Sequence, residues 1–180
     1  MRFRKYFMVV IFLSILFCAG LFFPGSALGL ELTSPAFKDG EVIPEEYTCK
    51  GEDISPALNW NDVPEGTKSF VLIMDDPDAP MGTWIHWVIY NIPGDAGGLE
   101  KNVQPEFLLG RGIMQGINSF RRPGYGGPCP PPGPAHRYFF KLYALDTTLG
   151  LRPGASKGDV MRAMQGHILE SAQIIGSFKR

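Results

Sequence analysis

Residues 68–92 read KSFVLIMDDPDAPMGTWIHWVIYNI and place two β-type segments on either side of an acidic, proline-containing corner. Lys68–Met74 and Trp84–Ile92 are rich in β-branched and aromatic residues, which predicts two strands. The first segment is apolar on both faces, which predicts a central strand. Asp75, Asp76 and Asp78 follow it, and no lysine or arginine lies within six residues of them. Pro77 and Pro80 stiffen this corner, so we expect a rigid loop that presents polar groups.

The acidic corner has two interpretations. Its aspartates could simply cap backbone N–H groups of a turn. The alternative is a functional site, which His86 favours. Alternation along a strand places His86 on one face with Trp84, Val88 and Tyr90, a short loop away from the acids. A carboxylate that accepts a ring N–H would fix the tautomer and raise the pKa of the imidazole.

A second group of polar residues follows a loop rich in proline and glycine. Residues 123–138 read PGYGGPCPPPGPAHRY, which excludes a helix or a regular ladder strand over most of that length. The strand predicted at Arg137–Leu145 follows, and alternation places His136 and Tyr138 on one face with Phe140 and Leu142. Two donors beside glycine N–H groups indicate an anion site.

The remaining elements indicate a mainly β domain with few helices. Leu108–Ser119 contains three glycines, which predicts a bulged or interrupted strand. One helix is predicted after Ser156, with Asp159 near its amino end. Its apolar face would contain Val160, Met164, His167 and Ile168, so His167 is expected in the core. The final residues SAQIIGSFKR predict a short strand or an extended tail.

The amino-terminal segment has the pattern of an export signal. Arg2, Arg4 and Lys5 precede an uncharged, mostly apolar stretch at 7–23, and small residues follow up to Ala27. We therefore predict a signal peptide at 1–27, a single domain at 28–180, and a periplasmic or secreted protein. The alternative is an uncleaved membrane anchor formed by the same segment. Residues 28–180 carry 14 basic and 18 acidic side chains, which argues against nucleic-acid binding.

Two cysteines follow the predicted signal peptide, Cys49 and Cys129. An even pair in an exported chain favours a disulfide, with two free thiols as the alternative. The sequence contains no CxxC pair and no HExxH motif, and we predict neither a metal site nor a cofactor.

Five motifs occur in a fixed order along the chain. They are DGEVIPEEYTCKGEDISPALNW, DPDAP followed by HW, GP followed by prolines and HRY, LYALD, and GHIL. Together they resemble the phosphatidylethanolamine-binding protein family, and the bacterial Raf-kinase-inhibitor-like branch in particular, from about Leu32 to Arg180. The resemblance implies a β-sandwich of antiparallel sheets with one or two peripheral helices. It also implies a small pocket for phosphate, acetate or a phosphorylated head group.

The resemblance assigns nine residues to that pocket: Asp76, Asp78, Pro80, His86, Gly127, Pro128, His136, Tyr138 and Trp60. Bare carboxylates repel an anion, so we expect Asp76 and Asp78 to accept hydrogen bonds from His86 or from pocket N–H groups. The phosphoryl oxygens would then be held by His86, His136, the Tyr138 hydroxyl and the Gly127 N–H. A zwitterionic ligand would allow one acid to pair with its ammonium group.

These features predict an exported, non-enzymatic binding protein for a small anionic ligand, with modulation of a partner protein as a further role. One alternative is an inhibitor of a protease or kinase that acts through a surface loop. Another is a hydrolase that uses the Asp, His and Tyr groups of the pocket. The hydrolase is disfavoured because no GxSxG motif is present and because a disulfide would consume Cys129.

Overall fold

The computed structural model describes residues 29–180, which form two antiparallel sheets and one α-helix. The smaller sheet has the strand order β1-β2-β5 and the larger sheet the order β6-β4-β3-β7-β8. The strands are β1 Glu31–Thr33, β2 Leu58–Asn61, β3 Ser69–Asp76, β4 Trp84–Pro93, β5 Gly98–Leu99, β6 Met114–Gln115, β7 His136–Leu145 and β8 Ile168–Phe178. The helix is α1 Lys157–Ala163, and short 3-10 turns lie at Glu45–Tyr47 and Gly110–Gly112. The predicted mainly β fold is confirmed.

Strand β3 is central because both of its faces are apolar. All eight of its residues are buried. Phe70, Leu72 and Met74 face the larger core cluster, which also contains residues of the smaller sheet such as Trp60. Val71 and Ile73 face a second cluster, which α1 completes. The larger sheet therefore lies between two layers, and β3 is apolar along both.

The acids at the end of β3 belong to the strand rather than to a loop. The sequence predicted that the strand ends at Met74, but pairing continues through Asp75, opposite Phe139, and Asp76, opposite Trp84. Only Asp78 lies in the connecting turn. The strand continues because its neighbours on both sides are long enough to pair with it.

Three other predicted elements differ from the structure. The strand expected at Leu108–Ser119 is reduced to Met114–Gln115 beside a 3-10 turn. The carboxy-terminal strand begins earlier than expected and pairs along the whole of β7. The helix ends at Ala163, so His167 does not lie on it. His167 is exposed, contrary to the expected core position, and its Nδ1 lies 2.8 Å from Asp146 Oδ1.

The signal peptide predicted at 1–27 lies outside the described residues. Within residues 29–180, no helix has the length and apolar character needed to cross a membrane.

Candidate ligand-binding site

A pocket of about 350 Å³ opens at the end of the larger sheet, beside the β3–β4 connection. Three parts of the chain form its wall: the β3–β4 connection, the turn that contains Phe120, and the proline-rich loop that precedes β7. Its polar groups come from Asp76, His86 and His136, and its apolar lining consists of Ala79, Pro80, Met81, Trp84, Phe120, Cys129, Pro130 and Pro131. The pocket therefore combines a small polar patch with a mainly apolar wall.

His136 and Asp76 form a buried pair in this pocket. His136 Nδ1 lies 2.7 Å from Asp76 Oδ2, and both side chains are almost completely buried. The carboxylate can only accept, so Nδ1 carries the proton. The second oxygen, Asp76 Oδ1, accepts the backbone N–H of Asp78 at 2.8 Å. Asp76 thereby fixes both the His136 ring and the start of the turn.

His86 is held by a backbone carbonyl rather than by an acid. Its Nδ1 lies 2.5 Å from the Gly126 carbonyl oxygen, so Nδ1 donates. The Gly126 N–H donates in return to the His86 carbonyl at 3.0 Å. Burial lowers the pKa of His86, although its bond to Gly126 opposes the shift. The ring is therefore neutral near pH 7, with a lone pair on Nε2.

A β-bulge determines the direction of His86. Met74 pairs with Trp87 and Asp75 with Ile85, so His86 is an extra residue in β4. His86 contacts Phe120 and Tyr138 on the pocket side, whereas Val88 and Tyr90 belong to the cluster under α1. The prediction that His86 shares a face with Val88 and Tyr90 was therefore wrong, because simple alternation fails across a bulge.

Tyr138 is not among the residues that line the pocket; it is fully buried beside His86, and its hydroxyl group has no hydrogen-bond partner within residues 29–180. Its ring centroid lies 5.1 Å from that of His86, in an edge-to-face arrangement. Within residues 29–180, its hydroxyl oxygen is the one buried side-chain polar atom that lacks a partner. Burial and the nearby charges of Asp76 and Asp78 raise the pKa of Tyr138, so the phenol remains protonated. An unsatisfied buried hydroxyl is costly and indicates an absent hydrogen-bond acceptor.

The other two acids of the corner have different partners. Asp78 does not line the pocket; it accepts Arg137 Nε at 2.9 Å, Arg137 Nη2 at 2.8 Å and the Arg137 N–H at 3.0 Å. These bonds lower the pKa of Asp78 to about 2. Asp75 lies on the opposite face, where Lys141 Nζ at 2.8 Å and Lys157 Nζ at 2.6 Å neutralise it. Neither acid bonds to His86; of the two kinds of donor expected for Asp78, His86 or an N–H group of the pocket, Asp78 accepts only a backbone N–H, that of Arg137.

Several expected site residues lie behind the pocket wall instead of in it. Gly127 donates its N–H to Asp53 Oδ1 at 2.6 Å, so this N–H is not free for a ligand. Pro128 accepts the Cys49 N–H at 3.1 Å. Trp60 lies in the core on β2, where its Nε1–H donates to the Ala96 carbonyl at 2.6 Å. Pro80, in contrast, lines the pocket as expected.

Two segments support the pocket from behind. Cys49 and Cys129 form a disulfide, and Cys129 itself lines the pocket. Asp53 joins the two adjoining loops, since it accepts the Gly127 N–H and also pairs with Arg122 Nη2 at 2.9 Å. Sequence reasoning missed Asp53 and Phe120. Arg122, whose guanidinium pairs with Asp53, contributes to this support.

The described part of the chain contains no group of three or more His, Cys, Asp or Glu side chains arranged to hold a metal ion.

Comparison with known proteins identifies similar sequences over almost all of the described chain. The family model described as phosphatidylethanolamine-binding protein matches residues 33–179. A UPF0098 protein of Aquifex aeolicus is 58% identical over 162 residues, covering 89% of this chain and 94% of that relative. A UPF0098 protein of Methanothermobacter thermautotrophicus is 56% identical over 151 residues, covering 84% of this chain and 99% of that relative.

Two solved structures have a similar fold. One is a putative phosphatidylethanolamine-binding protein homologue, CT736 of Chlamydia trachomatis, with a TM-score of 0.77 and 41% identity. The other is YbcL of Escherichia coli, described as a member of the mammalian family, with a TM-score of 0.78 and 34% identity. Each covers 84% of this chain and 98% of its own.

Proposed function

The chain belongs to the phosphatidylethanolamine-binding protein family, and we propose that its pocket binds a small anion between His86, His136 and Tyr138. The ligand class we propose is phosphate or a phosphorylated head group. The family has a ligand-binding fold, and the pocket of about 350 Å³ brings the polar groups of Asp76, His86 and His136 together.

The Tyr138 hydroxyl is the observation that carries this proposal. It is buried, protonated and without a partner among residues 29–180. A bound oxyanion would supply the acceptor that the protein does not supply. A hydrogen bond to a charged acceptor stabilises by about 1.5–3 kcal/mol, which is enough to contribute strongly to binding.

The histidines make this binding dependent on protons. Each ring uses Nδ1 internally, so Nε2 is the nitrogen that remains for a ligand. In a neutral ring Nε2 is an acceptor and does not donate to an oxyanion. Asp76 also adds negative charge beside the pocket. We therefore propose that an anion binds together with a proton on His86, or in a form that carries its own acidic hydrogen.

A zwitterionic ligand would fit the same electrostatics. Its anionic part would accept hydrogen bonds from the Tyr138 hydroxyl and the protonated His86 ring, and its ammonium group would lie near Asp76. The apolar wall, which includes Trp84 and Phe120, would contact any carbon chain that extends outward.

We also propose that the protein is exported and non-enzymatic. The Cys49–Cys129 disulfide supports export because such bonds persist mainly in oxidising compartments. The same bond removes Cys129 as a nucleophile, and a phenol with a raised pKa at Tyr138 is a poor nucleophile. Steady turnover of p-nitrophenyl phosphate that is lost in His86→Ala would contradict the non-enzymatic assignment.

Calorimetric titration with sodium sulfate and with inorganic phosphate tests the anion site. Tyr138→Phe removes only the hydroxyl and should weaken binding about tenfold or more. The same variant should be slightly more stable than the parent without ligand, because it removes an unsatisfied buried group. Tyr143→Phe is the matched control, since Tyr143 lies on β7 with its side chain on the opposite face. Unchanged affinity in Tyr138→Phe would refute the proposal.

Sulfate also tests the role of the protons, because it stays a dianion throughout the useful pH range. Its affinity should rise as the pH falls below the ordinary imidazole value of about 6.5, because burial lowers the pKa of His86 and a bound anion favours the protonated ring. Titrations in buffers of different ionisation enthalpy should show proton uptake on binding. Affinity that is independent of pH between 5 and 8 would exclude the proposed coupling.

A further inference from the structure

The carboxy-terminal strand β8 forms one edge of the larger sheet, and only part of that edge is covered. The segment at 39–43 pairs with its last residues. Gly40 N–H donates to the Ile175 carbonyl at 2.7 Å, and Ser177 exchanges backbone bonds of 2.8 Å with Glu41 and Ile43. Ile175 and Ser177 therefore direct their backbone groups away from β7.

The same geometry leaves an open stretch earlier in β8. Backbone groups alternate in direction along an antiparallel strand, and β8 pairs with β7 without a register shift from Glu170 to Phe178. Ser171 and Gln173 therefore point their N–H and C=O groups outward, as Ile175 and Ser177 do. No residue between 29 and 180 makes a backbone hydrogen bond to these outward groups.

A polar groove lies next to this open edge. It has a volume of about 430 Å³ and is lined by Lys141, Tyr143, Ser171, Ala172 and Gln173. It lies on the face of the sheet opposite the anion pocket. The edge and the groove are continuous, because Ser171 and Gln173 belong to both.

The groove lies beside a cluster with an excess of positive charge. Asp75 is buried between Lys141 and Lys157, so the three side chains together carry one net positive charge. The nearby Arg137 is already paired with Asp78. Glu170 does not neutralise the groove, because its carboxylate lies on the other face of β8, next to Gly29.

We propose that this edge binds an extended, acidic peptide segment of a partner protein as an additional strand. The backbone groups of Ser171 and Gln173 would pair with the peptide, and an acidic side chain of the peptide would lie in the groove toward Lys141. Ile168 and Leu169, which are 44% and 42% exposed, would add apolar contact at one end. A second copy of this chain fits less well, because it would bring its own positive cluster.

The probes are three synthetic peptides, acetyl-TVTETVT-amide, its counterpart TVTKTVT and the proline-interrupted TPPEPPT, titrated into the isotope-labelled protein. We expect TVTETVT to shift the backbone amide signals of Ser171 and Gln173 in a saturable manner. TVTKTVT should bind about fivefold more weakly, which corresponds to one surface charge interaction. TPPEPPT lacks the N–H groups on both sides of its glutamate, so it cannot pair along the edge in either strand direction and should produce no saturable shift.

Two kinds of variant separate the backbone contribution from that of charge. Ser171→Pro removes an outward N–H, which an edge strand tolerates, and should abolish peptide binding. Gln173→Glu and Gln173→Lys change only the charge of an exposed side chain, and should respectively weaken and strengthen TVTETVT binding. This pair keeps the proposal testable even where Ser171→Pro fails to fold.

The proposal is overturned if TVTETVT leaves the Ser171 and Gln173 amides unshifted, if the acidic and basic peptides bind equally, or if the two Gln173 variants behave alike. It is also overturned if the protein forms dimers that Ser171→Pro dissociates, because the edge would then be occupied by a second copy. Sulfate binding should be unaffected in all three variants, which distinguishes this edge from the anion pocket.

Discussion

Asp75, Asp76 and Asp78 are neighbours in sequence, yet each has a different partner and a different role. Asp75 points to the α1 side of the sheet and is neutralised by two lysines. Asp76 points to the opposite face and orients His136. Asp78 lies in the turn and anchors it to β7 through Arg137. Asp75 and Asp76 point to opposite faces because side chains alternate along a strand. Asp78 differs from both because it lies beyond the paired residues of β3.

Asp78→Asn should lower the free energy of unfolding by about 1 kcal/mol at pH 7, a value that allows for solvent screening because Asp78 is 29% and Arg137 60% exposed. The folded pKa of Asp78, about 2, lies below the value of about 3.9 in an unfolded chain. The contribution of the Asp78 carboxylate to the free energy of unfolding is therefore present above about pH 4 and disappears as the pH falls through 2. Asparagine keeps one oxygen for the Arg137 backbone N–H and Nε, but it replaces the acceptor of Arg137 Nη2 by a donor, so the substitution removes the charge together with one hydrogen bond.

Urea unfolding at pH 7 and at pH 2 measures this effect. Asp95→Asn is the control, because Asp95 forms a similar but exposed pair with Arg111 and should show almost no change at either pH. An equal loss of stability in Asp78→Asn at both pH values would mean that the carboxylate charge is not responsible.

At the residue scale, the sequence predicted where polar side chains cluster, but it did not predict which residues they bond to. The shared face of His136 and Tyr138 was confirmed by the regular pairing of β7 with β8. The partners of the three acids lie 59 to 82 residues away in the chain. Their identity depends on the register of β3 with β7 and on the position of α1, and neither follows from local pattern.

Strand regularity determined which element-scale predictions succeeded. Strand β7 has no bulge between His136 and Ala144, so its two faces follow simple alternation. Strand β4 contains an extra residue at His86, and the alternation reverses there. No glycine or proline marks that bulge in the sequence. Because of the bulge, His86 and Trp87 both point to the face of the sheet that carries the pocket and the larger core cluster. A polar site can therefore lie beside the core while the sheet remains continuous.

Helix α1 depends on its amino-terminal cap because it has only seven residues. Ser156 Oγ accepts the Asp159 N–H, and the Asp159 carboxylate accepts the Ser156 N–H, both at 3.2 Å. Val160 and Met164 then cover the second core cluster. Ser156→Ala should lower the free energy of unfolding by about 1 kcal/mol. Sulfate affinity should not change, because the pocket lies on the other face of the sheet.

Chemical denaturation of Ser156→Ala alongside Ser171→Ala measures this cap. Ser171 is exposed, so truncation of its side chain should have little effect. A loss in Ser156→Ala that does not exceed the loss in Ser171→Ala would show that the cap contributes nothing to stability.

At the scale of the whole molecule, the pocket depends on a segment far from it in sequence. The loop that precedes β7 is held against residues 47–53 by the disulfide and three hydrogen bonds. These bonds join Gly127 to Asp53 at 2.6 Å, Cys49 to Pro128 at 3.1 Å and Tyr125 Oη to the Tyr47 carbonyl at 2.7 Å. The cysteine pairing was predicted from an even count, but the hydrogen bonds were not, since both segments lack regular secondary structure.

Replacing both cysteines in Cys49→Ser/Cys129→Ser should therefore affect stability and binding together. The bond closes a loop with a sequence separation of 80 residues, and its loss should cost about 4 kcal/mol by chain entropy. The three remaining hydrogen bonds should keep the folded structure, but Cys129 lines the pocket and its loop would gain freedom. We expect sulfate affinity to fall severalfold while the circular dichroism spectrum stays that of the parent.

The parent protein treated with a reductant is the matched control and should recover both properties on reoxidation. Sulfate affinity equal to that of the parent in the double variant would show that residues 47–53 do not position the pocket wall.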